Sequence, residues 1–393
     1  MAWLMPASAS IIAFSKDWHE DPTSNHHVLR ELAKTRRVLW LNSIATRAPK
    51  VSNRDFGKIR RKLREFARGP VNVENDLWVF SPLVIPLPHS KAARQANQWL
   101  LRATIGTLKR RLGIHDFHLW TFLPNVAGYV GTLGESLSVY YCVDEWSMFA
   151  YLDQSETIAA ERALLSKVDC VFAINEALAE SKRAVNPATY VAPHGVDHAS
   201  FSRALDDATR IPPDIAALPR PVIGFYGTLR YWVDFDLVAH VARARPSWSI
   251  ALIGQRLDDV GPIAGLPNVH LLGRKPHREL PAYCKGMDVG IIPYRIDERT
   301  RFVNPIKLRE YLSAGLPVVS TAVHEVRRYD RWCTIAEDGP AFVAAIDRAL
   351  MGDSPALRRE RSRAMQAETW QVRVADVARI VDDLAGAKAR GRA

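Results

Sequence analysis

The 393-residue chain has only four cysteines, Cys142, Cys170, Cys284 and Cys333, spread far apart with no Cys-x-x-Cys spacing. That excludes a disulfide framework and the common zinc-binding patterns, and it reads as a set of reduced thiols, mostly on strands. No apolar run approaches the ~20 residues that a membrane-spanning helix needs. The opening MAWLMPASASIIAFS lacks the basic stretch that begins a secretory signal, and its apolar part reads as a first strand. These absences predict a cytoplasmic protein. No internal repeat and no low-complexity tract interrupts the chain, so a solenoid or a long disordered region is not expected.

What is present is an ordinary globular composition, 48% hydrophobic and 24% charged. At roughly 150 residues per domain, the length allows two or three domains. The formal net charge is +11, from 53 Lys and Arg against 42 Asp and Glu. Its placement is uneven. Residues 47–68 carry nine basic residues against Asp55 and Glu65, and residues 89–111 carry six with no acid. Together these two stretches exceed the net charge of the whole chain, so the basicity is local, which suggests one face for an anionic partner.

Apolar runs of strand character alternate with helical patterns almost throughout. SIIAFS, RVLWLN, LWVFSPL, FHLWTFL, SVYYCVD, CVFAIN and TYVAP fill the first half, and PVIGFYG, SIALIG, VHLLG, DVGIIPY and PVVST the second. Helical patterns fall between them, over 155–167 and 176–185 for example. Such alternation predicts an α/β protein with parallel sheets covered by helices on both faces. The proline-rich polar stretch 198–221 reads as an interdomain linker. The expected organisation is a domain over 1–200, a second over 201–368, and a C-terminal helix over 369–393 that packs back toward the first. That helix has an apolar stripe of Val374, Val377, Ile380 or Val381, and Leu384. Its tail AGAKARGRA is expected to fray.

The basic segments 54–68 and 91–111 are amphipathic. Phe56, Ile59, Leu63 and Phe66 make one apolar stripe, and Leu101, Ile105, Leu108 and Leu112 another, each beside a run of Lys and Arg. Such helices lie on anionic bilayers. The same stripes also suit helices packed on their own sheet with a solvated basic face. No nucleic-acid-binding module is recognisable, so no nucleic-acid partner is expected.

The stretch RFVNPIKLREYLSAGLPVVST, residues 301–321, carries the most chemistry. Asn304 is a suitable helix cap, Pro305 a suitable first residue, and Gly315 a suitable C′ residue, which predicts a helix over about 305–314. A helix N-terminus offers backbone N–H groups and partial positive charge to a phosphate. Lys307 in the first turn is disfavoured by the helix dipole unless an anion is bound nearby. Glu310 lies on the same face, about 4.5 Å along the axis, where a carboxylate can accept two hydroxyl groups of a ribose. A surface Lys–Glu pair has the same spacing.

NPIKLREYLSAGLPVV, with GFYGTLR, IALIGQ, NVHLLGR and DVGIIPY before it, resembles the donor domain of GT-B glycosyltransferases of the family-4-like type. VYYCVDEWSMF, VFAINEAL and VAPHGVD resemble the acceptor domain of bacterial enzymes that build exopolysaccharides and teichuronic acid, and more distantly the glucuronosyltransferase of xanthan synthesis. The resemblance covers nearly the whole chain. It implies two Rossmann-like domains with parallel sheets facing a central cleft, and a nucleotide-diphosphate sugar, most simply a UDP-sugar, as donor. It implies a lipid-linked or glycan acceptor in cell-surface glycan synthesis and work at the inner face of the membrane, with no metal and no cofactor.

Residue by residue, it implies that Lys307 neutralises the diphosphate and Glu310 holds the ribose. Tyr294 sits near the base or sugar, and Asn304 begins the donor helix. Gly227, Thr228 and Arg230 form a phosphate-facing loop, with Arg230 as a second cation. Family-4 enzymes commonly carry a further glutamate eight positions before the second; here that position is Phe302, which favours an inverting mechanism. Inversion needs a base, and Asp144, at the end of the strand VYYCVD, is the candidate. Glu145 is its backup. The loop 15–27 is a rival site, with Asp17, His19 and the cap region Ser24–Asn25, and His19 as a second catalytic candidate. His194 reads as structural. Two other readings remain open: a nucleotide-sugar epimerase of the same fold, and a non-catalytic binder of anionic surfaces.

Overall fold

The computed structural model describes residues 9–44, 53–85, 87, 90–149 and 152–391. It divides into two compact units, Met1–Ala192 with Val374–Ala393, and Pro193–Arg373. In the first unit the apolar runs become β1 (Ser10–Phe14), β2 (Val38–Leu41), β3 (Val71–Glu74), β4 (Leu77–Phe80), β5 (Phe117–Thr121), β6 (Leu137–Cys142), β7 (Cys170–Ala173) and β8 (Thr189–Val191). They form one sheet in the order β3-β4-β2-β1-β5-β6-β7-β8. All pairs are parallel except the hairpin β3–β4. Every residue of β2, β5, β6 and β7 is buried, which is why apolar residues point to both faces of these strands rather than alternating with polar ones, His118, Thr121 and Ser138 being buried exceptions.

The second unit holds β9 (Val222–Tyr226), β10 (Ser249–Ile253), β11 (Val269–Gly273), β12 (Val289–Ile292), β13 (Val318–Ser320) and β14 (Cys333–Ile335). Its sheet runs β11-β10-β9-β12-β13-β14, all parallel. The sequence pattern points to neither β3 nor β14. Both are three- or four-residue edge strands, and β3 is half exposed, so burial did not force an apolar run on either.

Three expectations change. The stretch 198–221 is not an open linker. It forms short helices whose Phe201, Ala204 and Ile215 are buried in the core of the second unit. The C-terminal tail does not fray at 385: the last helix runs Trp370–Arg390, with Val374, Val377 and Val381 buried. Within the first unit that helix is fastened by Arg36, which donates twice to Asp382 at 3.1 Å, and by Lys388, 2.6 Å from Asp169.

The third change concerns the basic segments. Leu101, Ile105, Leu108 and Leu112 on the helix Lys91–Leu112 are all buried in their own unit, so that stripe is core, and the face that meets solvent carries Lys91, Arg102 and the exposed Trp99. On the helix Asn53–Arg68, Leu63 is 50% exposed, and Phe66 packs on Phe80 at 5.6 Å. The side chains of Phe56 and Ile59 lie outside the described residues. No described helix is long and apolar enough to cross a membrane.

Candidate active site

In the second unit, β9 ends at Tyr226 and β10 at Ile253, and each is followed by a glycine with positive φ, Gly227 at 141° and Gly254 at 157°. The sheet ladder continues through them: Gly227 N–H donates to Ile253 O, and Gly254 N–H to Gly273 O, both at 2.9 Å. A Cβ on Gly254 would lie 1.8 Å from the Gly227 oxygen, so the two turns pack backbone on backbone. Lys307 lies against this bare turn. A Cβ on Gly227 would be 3.4 Å from Lys307 Cε and 3.6 Å from its Nζ.

Lys307 is in the first turn of the helix Ile306–Ser313. Its ammonium is 4.8 Å from the centre of the Tyr294 ring and 5.4 Å from that of Phe225, and it donates to the Tyr294 hydroxyl. No carboxylate among the described residues pairs with it. Ring faces hold the cation without neutralising it. The helix begins one residue later than the sequence suggests. Pro305 occupies the cap position, and the Asn304 side chain instead accepts from Arg309 Nη1 at 2.6 Å. Arg309 is itself buried and bonded to Glu368 at 2.8 Å, so Asn304 anchors the helix to the core. At the other end Gly315 N–H donates to Leu312 O and Leu316 N–H to Tyr311 O, both at 2.9 Å, a Schellman closure that Gly315 permits at φ 82°.

Glu310 is buried, with the Tyr226 hydroxyl donating to Oε2 at 2.7 Å and His277 Nε2 3.0 Å from Oε1. The sequence reading missed both partners. Tyr226 sits inside the quoted GFYG run, where it reads as core. His277 follows β11 in a polar loop and has no periodicity to reveal it. Arg230 is engaged elsewhere: its Nε is 3.7 Å from Asp258, and its guanidinium lies 5.4 Å from the Tyr231 and Trp232 rings. Thr228 is half-buried in the same loop. Tyr294 is buried and its carbonyl accepts from Thr321 at 2.8 Å. Lys307, Gly227 and Tyr294 are thus brought together.

In the first unit, β6 delivers Asp144 two residues past its end. Asp144 is half-buried, and among the described residues its carboxylate has no hydrogen-bond or ion-pair partner. Burial, and then the charge of Glu145, push its pKa up to about 7. Glu145 takes the opposite course. Burial works to raise its carboxyl, but the charge and hydrogen bond of Lys182, with those of Ser147, outweigh that and hold it below the usual range. Lys182 is buried between Glu145 at 2.7 Å and Glu161 at 2.8 Å, and the Tyr140 hydroxyl donates to Glu161 at 2.7 Å. Two adjacent carboxylates are therefore split, one fixed as an anion and the other poised to exchange a proton near neutrality.

The loop 15–27 is arranged differently. Asp17 accepts from the Ser43 hydroxyl at 2.7 Å and lies 3.5 Å from Arg61, so it is already neutralised. Ser24 and Asn25 are buried, with Thr23 rather than Ser24 as the helix cap. His19 is exposed, with no partner among the described residues. His194 is buried, 5.9 Å from the Trp370 ring. Among the described residues, no group of three His, Cys, Asp or Glu side chains is placed to hold a metal ion.

Residues 220–351 match the family model for glycosyl transferases group 1. TuaH of Bacillus subtilis (strain 168), named as a teichuronic acid biosynthesis glycosyltransferase, is 22% identical over 368 residues, covering 86% of this chain and 88% of that protein. Among solved structures, sucrose-phosphate synthase of Thermosynechococcus elongatus superposes with a TM-score of 0.67 at 16% identity, over 96% of this chain and 100% of that one. Alr3699/HepE of Anabaena, in complex with UDP and glucose, gives 0.64 at 13%, over 94% and 99%. Two mostly parallel α/β units and these likenesses fit the expected architecture. Residues 220–351 are a group 1 glycosyl transferase domain, and the chain is a glycosyltransferase of the GT-B fold.

Proposed function

We propose that the protein transfers a sugar from a nucleotide-diphosphate sugar, a UDP-sugar, to a hydroxyl of a lipid-linked or polysaccharide acceptor in cell-surface glycan synthesis. The observation that carries this reading is Lys307: a cation with no carboxylate partner among the described residues, set at the start of a helix against the bare backbone of Gly227. A diphosphate is the anion such a site suits, because charge, helix dipole and close backbone approach all favour it. The complexes of Alr3699/HepE with UDP and glucose support the choice of nucleotide.

In this reading Lys307 meets the diphosphate, Gly227 and Thr228 let it approach, and Glu310 receives the ribose hydroxyls while Tyr226 and His277 hold it in place. Tyr294 fixes the Lys307 ammonium. Arg230, held by Asp258, supplies a second positive field. Asp144 takes the proton of the acceptor hydroxyl. The oxygen so freed attacks the anomeric carbon on the face opposite the nucleotide, and the bond from that carbon to the phosphate oxygen breaks. The electron pair leaves with the nucleoside diphosphate, whose developing charge Lys307 and the helix terminus stabilise. That sequence inverts the anomeric centre. Phe302 in place of a further glutamate agrees with it.

The exposed cations of the helix Asn53–Arg68, around the exposed Leu63, suit an anionic membrane surface and support a reading in which the enzyme works peripherally on the inner face. The test is turnover. Purified protein is incubated with individual UDP-sugars and a bacterial lipid extract, and UDP release and the anomeric configuration of the product are followed. UDP release that depends on acceptor supports the reading. Release of an epimerised sugar without acceptor would replace it with an isomerase.

A further inference from the structure

We infer that Glu368 is a positioning residue for the donor site: through Arg309 it fixes the first turn of the helix Ile306–Ser313, and with it the place of Lys307. The identity of the ligand that Lys307 meets rests on the proposed function.

That helix has eight residues, about two turns, and so short a helix is not stable by itself. Its N-terminus also lacks an ordinary cap. Pro305 stands at the cap position with no side-chain bond to offer, and the Asn304 side chain accepts from Arg309 Nη1 at 2.6 Å. The first turn is therefore held by Arg309 instead of a local cap. At 3.6 residues per turn, Arg309 lies about 200° round the helix from Lys307. It grips the helix from behind while Lys307 meets the Gly227 turn.

Arg309 is 2% exposed, and the carboxylate that meets it is Glu368, 59 positions along the chain, with Oε2 2.8 Å from Arg309 Nε. The same oxygen accepts from the Tyr329 hydroxyl at 2.6 Å and lies 3.0 Å from Arg373. The Tyr329 ring also lies 5.1 Å from the Arg309 guanidinium. Burial works to raise the Glu368 carboxyl, but the charge of Arg309, with the Tyr329 hydrogen bond and the charge of Arg373, outweighs that and holds it below the usual range. Glu368 is thus a fixed anion. A buried ion pair adds little net stability over apolar packing, yet its geometry is exacting, because a displaced partner leaves a bare charge. Such a pair suits a helix whose placement matters more than its stability.

The backbone around Glu368 is fixed in turn. The chain enters the second unit at Pro193 and leaves it at Arg373. Inside that unit the entering and leaving segments are laced together. Val196 N–H donates to Glu368 O at 3.0 Å, and Trp370 N–H donates to Val196 O at 3.3 Å. A Cβ on Gly195 would lie 2.6 Å from Trp370 Cα, so the two segments pack backbone on backbone. The carboxylate that sets the donor helix hangs on this junction.

The test uses the full-length chain with Glu368→Gln, Arg309→Lys and Arg309→Met, and with Ile346→Val as a control in the buried core of the same unit. UDP affinity is measured by calorimetry, and amide hydrogen exchange is followed without nucleotide. Glu368→Gln and Arg309→Lys should each weaken UDP at least tenfold. Lysine keeps the charge but cannot reproduce the planar fork that meets Asn304 and Glu368 together, so this variant carries the test if Glu368→Gln does not fold. The two residues act in series, so adding Glu368→Gln to Arg309→Met should cost no further affinity. Exchange at residues 308–310, beginning with the Leu308 N–H that donates to Pro305 O at 3.1 Å, should quicken at least tenfold in Glu368→Gln and Arg309→Lys, and less within β9 and β10. Ile346→Val should melt lower with UDP affinity unchanged, which separates lost stability from lost placement. UDP affinity within twofold of the parent in a folded Glu368→Gln or Arg309→Lys chain, or exchange at 308–310 that quickens no more than in β9 and β10, would overturn the assignment. A parent chain that does not bind UDP would refute the donor-site reading, and the exchange, read without ligand, would still decide whether Glu368 sets the first turn.

Discussion

Lys307 and Glu310 stand one turn apart on the same helix and do not pair. The Lys307 ammonium bonds to the Tyr294 hydroxyl, and the Glu310 carboxylate takes the Tyr226 hydroxyl and His277. A lysine and a glutamate three positions apart ordinarily make a surface ion pair worth a few tenths of a kcal/mol. Here each is held by its own aromatic partners, so positive and negative charge stay separate along the helix. That separation is what a nucleoside diphosphate needs, with its phosphates at one point and its ribose hydroxyls at another.

Glu310→Ala tests the ribose end. Hydrogen bonds to charged groups contribute about 1.5–3 kcal/mol, so UDP affinity should fall about 10- to 150-fold. Binding of inorganic diphosphate, which has no ribose, should not change. Calorimetry with both ligands separates the two, and an equal loss for both would show that Glu310 merely supports the fold.

Asp144→Asn tests the base. A positioned general base contributes typically about 10²–10⁴-fold, and kcat should fall by that much with donor binding intact. In the unsubstituted enzyme kcat/KM should rise as Asp144 loses its proton, with a midpoint near its pKa of about 7. Stability runs the other way. The folded-state pKa lies above the ordinary 3.8, so between about pH 4 and 7 the folded protein keeps a proton that the unfolded chain has lost. Stability therefore declines over that window as pH rises. Asn cannot ionise, so the variant should gain in melting temperature relative to the parent between pH 5 and pH 8. A constant difference across that range would contradict the raised pKa.

Gly254→Ala tests the backbone platform. A methyl group there meets the Gly227 oxygen at 1.8 Å and demands φ of 157°, a region that costs side-chain-bearing residues of order 1–3 kcal/mol. The variant should melt lower and bind UDP more weakly, because relief of the clash moves the Gly227 turn from Lys307. Unchanged melting and binding would mean the two turns adapt freely.

The membrane reading rests on the helix Asn53–Arg68. Arg60, Arg64 and Arg68 are exposed, and each cation near an anionic surface contributes about 1 kcal/mol. Replacing all three with Gln should weaken sedimentation with phosphatidylglycerol vesicles by roughly 100-fold, and leave binding of UDP unchanged. Vesicle binding that is indifferent to these charges would remove this helix from the contact.

The sequence made the alternation of strands and helices legible because buried parallel strands are nearly continuously apolar. The place of Lys307 in the first turn of its helix was legible as well, since Pro305 and Gly315 bracket that helix in the sequence. Other features were hidden for physical reasons. The second apolar stripe, Leu101 to Leu112, reads equally as core or membrane face, because a helix needs the same spacing for both. Asn304 has the chemistry of a cap, yet the buried Arg309 claims its side chain. His277 reaches Glu310 across 33 positions of chain, and only the fold brings the two together. The division of labour between Asp144 and Glu145 depends on Lys182, which is remote in sequence from both.

The most direct test of the account is a thermal-shift screen of the full-length protein against UDP, GDP, ADP, dTDP and CMP, with Lys307→Ala alongside. At 100 times its dissociation constant a ligand stabilises by about 2.7 kcal/mol, a readable shift. The account predicts that UDP raises the melting temperature and that the shift shrinks or vanishes in Lys307→Ala. A shift that survives the substitution unchanged would remove Lys307 from the donor site, and no shift with any nucleotide would contradict the proposed function itself.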